Sequence, residues 1–174
     1  MEVRKIKVGY LQENCYILVE QGKCLIIDPG DQFYSIEEQI GKNELIGILV
    51  THRHPDHIGA LEKLVKTYHV PVYDRSNLNE GKVEVGPFNF EVIYTPGHTN
   101  DSVSFLFYQY DFMFSGDFIF LNSIGRTDLP TGNEVEMKKS LEKISLYSDR
   151  IKIYPGHGEA TNLGKEKSNN PFFN

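Results

Sequence analysis

The chain has 174 residues, a length that suits one domain with a substantial core, and we predict a single domain spanning residues 1–174. Apolar residues make up 40% and charged residues 24%, which is typical of globular proteins and not of disordered, collagen-like or membrane proteins. The 18 basic and 24 acidic side chains give a formal net charge of −6, which argues against binding nucleic acid or an anionic membrane through net charge.

The amino-terminal segment alternates apolar and polar residues and therefore reads as a strand. It contains neither the uninterrupted apolar core nor the small-residue cleavage site of a signal peptide. No apolar run in the sequence approaches the length needed to cross a bilayer. We therefore expect a cytoplasmic protein without a membrane partner.

Strands are predicted first, at residues 3–8, 14–20 and 23–27, with turn-forming residues between them. If Gln21-Gly22 is a two-residue hairpin turn, Val19 faces Cys24, and Cys15 lies too far along the ladder for a disulfide bond. We expect both cysteines to be buried thiols in a reducing compartment.

Helices and strands are interspersed in the rest of the chain. A short helix is predicted at residues 35–40, with Ser35 and Glu38 spaced as a capping box, and an amphipathic helix is predicted at residues 57–69. Further strands are predicted at residues 45–50, 70–73, 82–85, 88–94, 102–108, 112–115 and 150–154, and a further helix at 134–146. The pattern favours an α/β sandwich with helices on the outer faces of two sheets.

Histidines cluster in turns that follow predicted strands. Of the six histidines, His69 alone lies outside such a turn, at the end of a predicted helix. The other five lie in Thr51-His52-Arg53-His54-Pro55-Asp56-His57, in Pro96-Gly97-His98-Thr99 and in Pro155-Gly156-His157-Gly158. A core holds strand ends rigidly, while the residues that follow can converge on one point.

These residue types are the ligands that divalent metal ions prefer, because such ions bind neutral imidazole nitrogens and ionised carboxylates. His52 and His54, two residues apart in an extended segment, project to the same side and can bind one ion. Asp56 and His57 follow the bend at Pro55 and can bind a second ion nearby. We therefore predict two divalent metal ions as cofactors.

In the order and types of these residues, the chain resembles the metallo-β-lactamase fold superfamily. The resemblance is carried by His52-x-His54-x-Asp56-His57, His98, Ser115-Gly116-Asp117 and His157, together with Asn14-Cys15-Tyr16 and Asp28-Pro29-Gly30. It implies a four-layer αβ/βα sandwich. Within the superfamily, the chain looks most like hydroxyacylglutathione hydrolase, also called glyoxalase II, in its compact bacterial form.

The resemblance also implies a role for each ligand. The first metal would be bound by His52, His54 and His98, the second by Asp56, His57 and His157, and Asp117 would bridge both. On this resemblance, we predict that Asp56 and Asp117 are the catalytic carboxylates. Zinc is the first expectation for the metal, with iron and manganese as alternatives.

The predicted reaction is hydrolysis of a small-molecule thioester or ester by hydroxide held between the two ions. Asp28 is a candidate for orienting a ligand histidine through its far ring nitrogen, although it can equally well simply open a turn. Arg126 looks like the replacement for a lysine that binds a glutathione carboxylate in glyoxalase II. The alternative for Arg126 is a surface ion pair with Asp128.

Other activities on the same fold are kept as alternatives. Glyoxalase II has a helical domain after the last ligand, whereas only a short polar tail, residues 159–174, follows His157 here, so we expect a smaller substrate or weaker glutathione specificity. A persulfide dioxygenase would use one iron, held by His52, His98 and Asp117. A lactonase, an RNA-processing nuclease and a non-catalytic metal-binding protein are further alternatives, and the acidic charge argues against the nuclease.

Overall fold

The computed structural model describes residues 1–173, and the amino-terminal half forms a sheet whose strands follow chain order. These strands are β1 (Glu2–Val8), β2 (Glu13–Glu20), β3 (Lys23–Ile27), β4 (Glu44–Leu49) and β5 (Val72–Tyr73). The first three pair antiparallel, whereas β3, β4 and β5 pair parallel. Parallel strands need crossover connections, and these contain α1 (Phe33–Ile40), α2 (Pro55–Ile58) and α3 (Leu61–Tyr68).

The carboxyl-terminal half forms a second sheet, with the order β13-β12-β9-β8-β7-β6. Its strands are β6 (Gly81–Val85), β7 (Phe88–Tyr94), β8 (Val103–Phe107), β9 (Phe112–Gly116), β12 (Lys152–Pro155) and β13 (Thr161–Asn162). Between β9 and β12 come a hairpin, β10 (Ile119–Phe120) and β11 (Ser123–Ile124), and the helix α4 (Glu134–Ser145). After β13 come α5 (Leu163–Asn169) and a 3-10 helix (Pro171–Phe173).

Apolar cores hold these layers together. The core between the two sheets is rich in buried phenylalanine, including Phe88, Phe90, Phe105, Phe107 and Phe114. Full burial of one such ring contributes roughly 1.5–3 kcal/mol. A second core joins the first sheet to α1 and α3, and a third joins the second sheet to α4 and α5. The layers are therefore helices, sheet, sheet and helices, which is the predicted four-layer αβ/βα sandwich.

Most predicted strands are confirmed, and β3 and β7 coincide with their predicted ranges. Val19 lies opposite Cys24, and Cys15 and Cys24 are both buried free thiols, as predicted. The capping box is wrong. Helix α1 begins at Phe33, so Ser35 lies inside its first turn, and Gln32 occupies the N-cap position without a side-chain hydrogen bond in the described part of the chain.

The continuous helix predicted for residues 57–69 is also wrong, because the chain breaks between α2 and α3. The backbone of the turn at residues 28–30 packs into this break. Ala60 N donates to Pro29 O at 2.9 Å, and a Cβ added to Gly59 would lie 2.1 Å from Gly30 O. The break therefore docks the turn that carries Asp28 against the segment that carries His57.

Residues 159–173, expected to be a polar tail, contain β13, α5 and the 3-10 helix, while Asn174 lies outside the described residues. Leu163 is fully buried in the third core, and Phe173 packs against that core, so this segment belongs to the folded sandwich. Among residues 1–173, no helix combines the length and apolar character that a membrane span requires.

Candidate metal centre

The predicted ligands lie beyond strand ends at one edge of the sandwich. Residues 51–57 follow β4, His98 follows β7, Asp117 follows β9 and His157 follows β12. In the second sheet β9 and β12 are parallel, and β7 runs in the same direction because β8 is antiparallel to both β7 and β9. The carboxyl ends of these strands therefore share one edge, which is a common location for ligand sites in α/β proteins.

The first group consists of His52, His54 and His98. The Nδ1 atom of His54 lies 3.1 Å from His52 Nε2 and 2.9 Å from His98 Nε2. Metal–nitrogen bonds of 2.0–2.1 Å in a tetrahedral site place neighbouring nitrogens about 3.3 Å apart. The spacing of the three imidazoles therefore fits binding of one divalent ion.

The second group consists of Asp56, His57 and His157. Asp56 Oδ2 lies 3.1 Å from His157 Nε2 and 3.8 Å from His57 Nε2. These three side chains come from segments about a hundred residues apart in sequence, yet their ligand atoms lie within 4.8 Å of one another. They can therefore hold a second ion.

Asp117 connects the two groups. Its Oδ2 lies 3.6 Å from His98 Nε2 and 3.7 Å from His157 Nε2, and its Oδ1 lies 3.4 Å from His57 Nε2. One carboxylate thus faces histidines of both groups, as a bridging ligand must. The structure brings together all seven predicted ligands, and their individual roles in metal binding stay predictions.

Two glycines allow this close approach. Gly116, immediately before Asp117, has a positive φ of 52°, and a Cβ there would lie 2.2 Å from Thr51 Oγ1. A Cβ at Gly156 would lie 2.4 Å from Asp117 Oδ1 and 2.6 Å from His57 Cε1. Any larger residue at either position would push the ligand segments apart.

Unpaired buried atoms show that this group of side chains suits cations. Within the described residues, His57 Nε2 and Asp117 Oδ1 are buried and have no hydrogen-bond partner. Unpaired polar atoms in a protein interior are costly, and a metal ion between them removes the cost. Imidazole nitrogens and carboxylates are also the donors that divalent transition metals prefer, so the residues fit such ions.

The far ring nitrogens of His52 and His57 share one anchor, Asp28. His57 Nδ1 lies 3.0 Å from Asp28 Oδ2, and the Thr51 hydroxyl donates to the same oxygen at 2.6 Å. Because its hydrogen is committed to Asp28, Thr51 Oγ1 accepts from His52 Nδ1, 3.1 Å away. Both rings then carry hydrogen on Nδ1, and their Nε2 lone pairs point into the centre.

His98 and His157 are oriented by backbone carbonyl groups instead. His98 Nδ1 lies 2.8 Å from Arg126 O, and His157 Nδ1 lies 3.2 Å from Leu11 O. A carbonyl oxygen only accepts hydrogen bonds, so each ring donates from Nδ1 and presents its Nε2 lone pair to the centre. His54 differs from the other four, because its Nδ1 faces the centre.

Asp28 also lies close enough to His52 and His57 to form an alternative ligand group. We assign it the orienting role because its oxygens are already engaged. Oδ1 accepts from Thr51 N at 2.7 Å, and Oδ2 faces the Thr51 hydroxyl and His57 Nδ1. An aspartate with these contacts has little capacity left for a metal ion.

The pKa values of the buried groups follow from this arrangement. Burial, reinforced by the charge of His57, lowers the pKa of His52 well below its usual value. Burial also opposes a proton on His57, but the nearby carboxylates of Asp117 and Asp28 outweigh it and raise the pKa of His57 well above normal. Burial alone would raise the pKa of Asp117, yet the contact with His57 lowers it, so this carboxylate is ionised at neutral pH. Metal binding should therefore release a proton from His57.

Glu13 was missed by the sequence analysis. Its side chain is fully buried, its oxygens have no hydrogen-bond partner among the described residues, and Oε1 lies 3.8 Å from His57 Nδ1. Burial is the main cause that raises the pKa of Glu13 well above its usual value, and the nearby charge of Asp28 adds to it. The alternation of strand β2 predicts which residues share a face, but it does not reveal this proximity.

Strand β2 also holds the turn that carries His157. The Asn14 side-chain amide donates to Pro155 O at 3.0 Å and to Gly158 O at 2.9 Å, and the Tyr16 hydroxyl donates to Pro155 O at 2.7 Å. These contacts join the first sheet to the end of β12 and give the Asn-x-Tyr pair a structural role beside the predicted metal ligands.

The carboxyl-terminal segment holds the loop that supports His98. The Glu166 carboxyl group accepts from Asn122 N at 2.8 Å and from the Asn170 side-chain amide at 2.9 Å, and that amide also donates to Ser123 O at 2.9 Å. Asn122 lies in the turn of the β10–β11 hairpin and Ser123 begins β11, and this hairpin leads directly to the Arg126 carbonyl. Helix α5 thus supports, through this hairpin, the loop whose carbonyl group contacts His98.

We expect the change Glu166→Ala to lower the free energy of unfolding by about 3 kcal/mol, because three donors, two of them on buried side chains, lose their acceptor. Besides Asn122 and Asn170, the Thr161 hydroxyl donates to Glu166. Urea denaturation measures the change, with Glu142→Ala on the exposed face of α4 as the matched control. Glu166→Gln keeps an acceptor oxygen and should lose much less stability. Equal losses for Glu166→Ala and the control would contradict this role.

The structure places Arg126 at the surface, in an ion pair with Asp128. Its Nε and Nη2 atoms each lie 2.7 Å from an Asp128 carboxylate oxygen, and the Arg126 side chain is 62% exposed. A surface ion pair with Asp128 is the predicted alternative to substrate binding by Arg126. Its backbone carbonyl, rather than its guanidinium, contacts the predicted ligand His98.

Comparison with known proteins adds independent evidence. The chain matches the Metallo-beta-lactamase superfamily over residues 8–78 and 74–157. It is 34% identical to the probable metallo-hydrolase YqgX of Bacillus subtilis (strain 168), over 100% of this chain and 98% of that protein. It is 31% identical to the hydroxyacylglutathione hydrolase GloC of Haemophilus influenzae, over 100% of this chain and 99% of that protein.

Solved structures show the same similarity. BLEG-1 B3 metallo-beta-lactamase superimposes with a TM-score of 0.93 at 31% identity, covering 99% of both chains. TTHA1623 in a di-iron-bound form gives 0.89 at 31% identity, covering 97% of this chain and 99% of that one. ETHE1 from Myxococcus xanthus gives 0.91 at 29% identity, covering 98% and 84%. Sequence, fold and the His/Asp cluster therefore agree that this chain belongs to the metallo-beta-lactamase superfamily.

Proposed function

We propose that the protein is a dinuclear metallo-hydrolase that cleaves a thioester or a closely related ester of a small molecule. The observation that carries the proposal is the doubled ligand set, in which Asp117 faces histidines of both groups at 3.4–3.7 Å. The similarity to GloC, which is named as a hydroxyacylglutathione hydrolase, supports the choice of a thioester. We propose zinc as the metal, with iron and manganese as alternatives. The di-iron-bound form of TTHA1623 supports the iron alternative.

The protein's own residues would prepare the site for this chemistry. Divalent ions, when bound, lower the pKa of water and polarise a substrate carbonyl group. Asp28 and Thr51 hold two histidine rings in the tautomer that presents Nε2, and the ionised Asp117 and Asp56 lower the net positive charge of the centre. A side-chain nucleophile is not needed for this reaction. We also propose that the protein forms a single domain over residues 1–174. A cytoplasmic location is proposed as well, because the buried Cys15 and Cys24 are free thiols.

The first test measures metal content and hydrolysis on the same purified protein. We expect two metal ions per chain and hydrolysis of lactoylglutathione or a simpler thioester under argon, with loss of activity after chelation and recovery on metal addition. His54→Ala should lower metal content and turnover, whereas His69→Ala, at the carboxyl end of α3, should change neither. Full turnover by the His54→Ala protein would contradict the dinuclear mechanism.

The second candidate function is an iron-dependent persulfide dioxygenase. It is favoured by the proximity of His52, His98 and Asp117, which by themselves suffice for one iron, with His98 Nε2 3.6 Å from Asp117 Oδ2. This reading predicts one iron per chain and oxygen consumption with a persulfide substrate. Two metals per chain and thioester hydrolysis without oxygen would exclude it.

A further inference from the structure

We propose that Arg53 binds a carboxylate group at the remote end of the substrate, in a cleft that opens beside His54. This role rests on the proposed hydrolysis, because it concerns the same substrate. Arg53 stands between two predicted metal ligands, where the sequence pattern places no constraint on residue type.

The cleft has room for a small organic group. Its volume is about 590 Å³, and it is lined by Arg53 and His54 on the β4 side and by residues that include Thr99, Leu129 and Pro130 from other loops. Clefts of roughly 300–1,000 Å³ are typical of small-molecule sites. Since His54 belongs to the first ligand group, a substrate whose carbonyl lies at the metals can extend directly into this cleft.

Arg53 is held in place by a buried aspartate. Arg53 Nε donates to Asp74 Oδ2 at 2.9 Å, and Nη2 donates to the same oxygen. The Asp74 side chain is only 5% exposed, and its other oxygen accepts from Ser76 N at 2.8 Å and from the Ser76 hydroxyl. The guanidinium is therefore oriented before any ligand arrives, which reduces the entropy lost on binding.

Asp74 uses only one edge of the guanidinium. Arginine has five N–H donors in a fixed plane, and Nη1 of Arg53 has no acceptor within residues 1–173. The Arg53 side chain is 49% exposed, so this second edge is accessible to solvent and to a ligand. A carboxylate can accept two parallel hydrogen bonds from such an edge.

The position of Arg53 indicates which part of the substrate it contacts. His52 and His54 turn towards the metal centre, so side-chain alternation directs Arg53 away from the imidazoles. Its partner would therefore be a distant group and not the reacting carbonyl. Asp101 lines the same cleft, and its negative charge disfavours a polyanion such as a polyphosphate. A single carboxylate, which needs only the free edge of Arg53, meets less repulsion from Asp101 than a polyanion would.

Arg126, the other candidate for binding a substrate carboxylate, is less suited to this role. Its Nε and Nη2 are both paired with Asp128 at the surface, where its side chain is 62% exposed. The Asp128 side chain is 68% exposed to water, so Asp128 orients Arg126 less firmly than the buried Asp74 orients Arg53.

A binding experiment separates this inference from the proposed hydrolysis. The probes are two thioethers of identical skeleton, which cannot be hydrolysed, one ending in a carboxylate and the other in a carboxamide. Calorimetry on the metal-loaded protein should show the acid binding about tenfold more tightly than the amide, the effect of losing a charged hydrogen bond.

The change Arg53→Lys keeps the charge and the pairing with Asp74 but removes the second donor edge, so the preference for the acid should fall to less than twofold. The matched variant Arg126→Gln should keep it. If Arg53→Lys fails to fold, the double variant Arg53→Gln with Asp74→Asn removes both charges and should give the same loss. Equal affinity of the wild type for both probes, or a preference that persists without Arg53, would overturn the proposal, whether or not thioesters are hydrolysed.

Discussion

Asp117→Asn is expected to lower turnover at least about a thousandfold, since a metal pair contributes several kcal/mol of transition-state stabilisation and each 1.4 kcal/mol is a factor of ten. Asp117 faces His57, His98 and His157 and so touches both ligand groups. An asparagine keeps the shape of the side chain but loses the charge and most of the ligand strength. Both metals should therefore bind more weakly.

Metal analysis after gel filtration should find fewer than two ions per chain in the Asp117→Asn protein, and steady-state kinetics should show the loss in kcat. Asp111→Asn is the matched control, because the Asp111 side chain is half-exposed and pairs with Arg150, and its positive φ is one that asparagine tolerates. An Asp117→Asn protein with two ions and normal turnover would show that Asp117 does not bridge the metals.

Asp28→Asn is expected to weaken metal affinity about ten- to a hundredfold, although Asp28 touches no metal in the arrangement proposed here. The wild-type Oδ2 faces two donors, the Thr51 hydroxyl and His57 Nδ1–H. With Oδ1 still accepting from Thr51 N, the asparagine NH2 group would point at both donors. His57 would then change tautomer, carry hydrogen on Nε2 and lose the lone pair that faces Asp117.

Competition with a chelator of known affinity measures this effect, and kcat should also fall because the metal-bound His57 ring then has no acceptor for its Nδ1–H group. Asp31→Asn provides a control from the same turn, since Asp31 is exposed and bonds only to Gln32 N within the described chain. Thermal unfolding of both variants distinguishes a local effect from a general loss of stability. Unchanged metal affinity in Asp28→Asn would leave Asp28 with only the turn-forming role.

Local patterns predicted the strands well where alternation or an apolar run was bounded by turn residues, as for β3 and β7. They failed where a distant backbone intervened. The break after α2 depends on the carbonyl groups of Pro29 and Gly30, which compete with helix continuation at Gly59 and Ala60. Helix α5 was missed because its short, polar sequence has almost no apolar face, and buried polar contacts of Glu166 and Asn170 hold it instead.

The sequence by itself indicated the ligand residues, because imidazole and carboxylate groups cluster in turns after predicted strands. The order of its strands and helices indicated an α/β sandwich, and its resemblance to one superfamily implied the four layers. The sequence also offered Asp28 as a candidate for orienting a ligand histidine, but it did not determine which ring Asp28 contacts or what supports the other ligands. The partner of His52 is the adjacent Thr51, whereas the partners of His57, His98 and His157 are an aspartate and two backbone carbonyls from distant segments. Only the tertiary structure decided these distant contacts, because each depends on which loops meet when the two sheets pack together. The same holds for the burial of Glu13 and for the one edge of the Arg53 guanidinium that Asp74 leaves free.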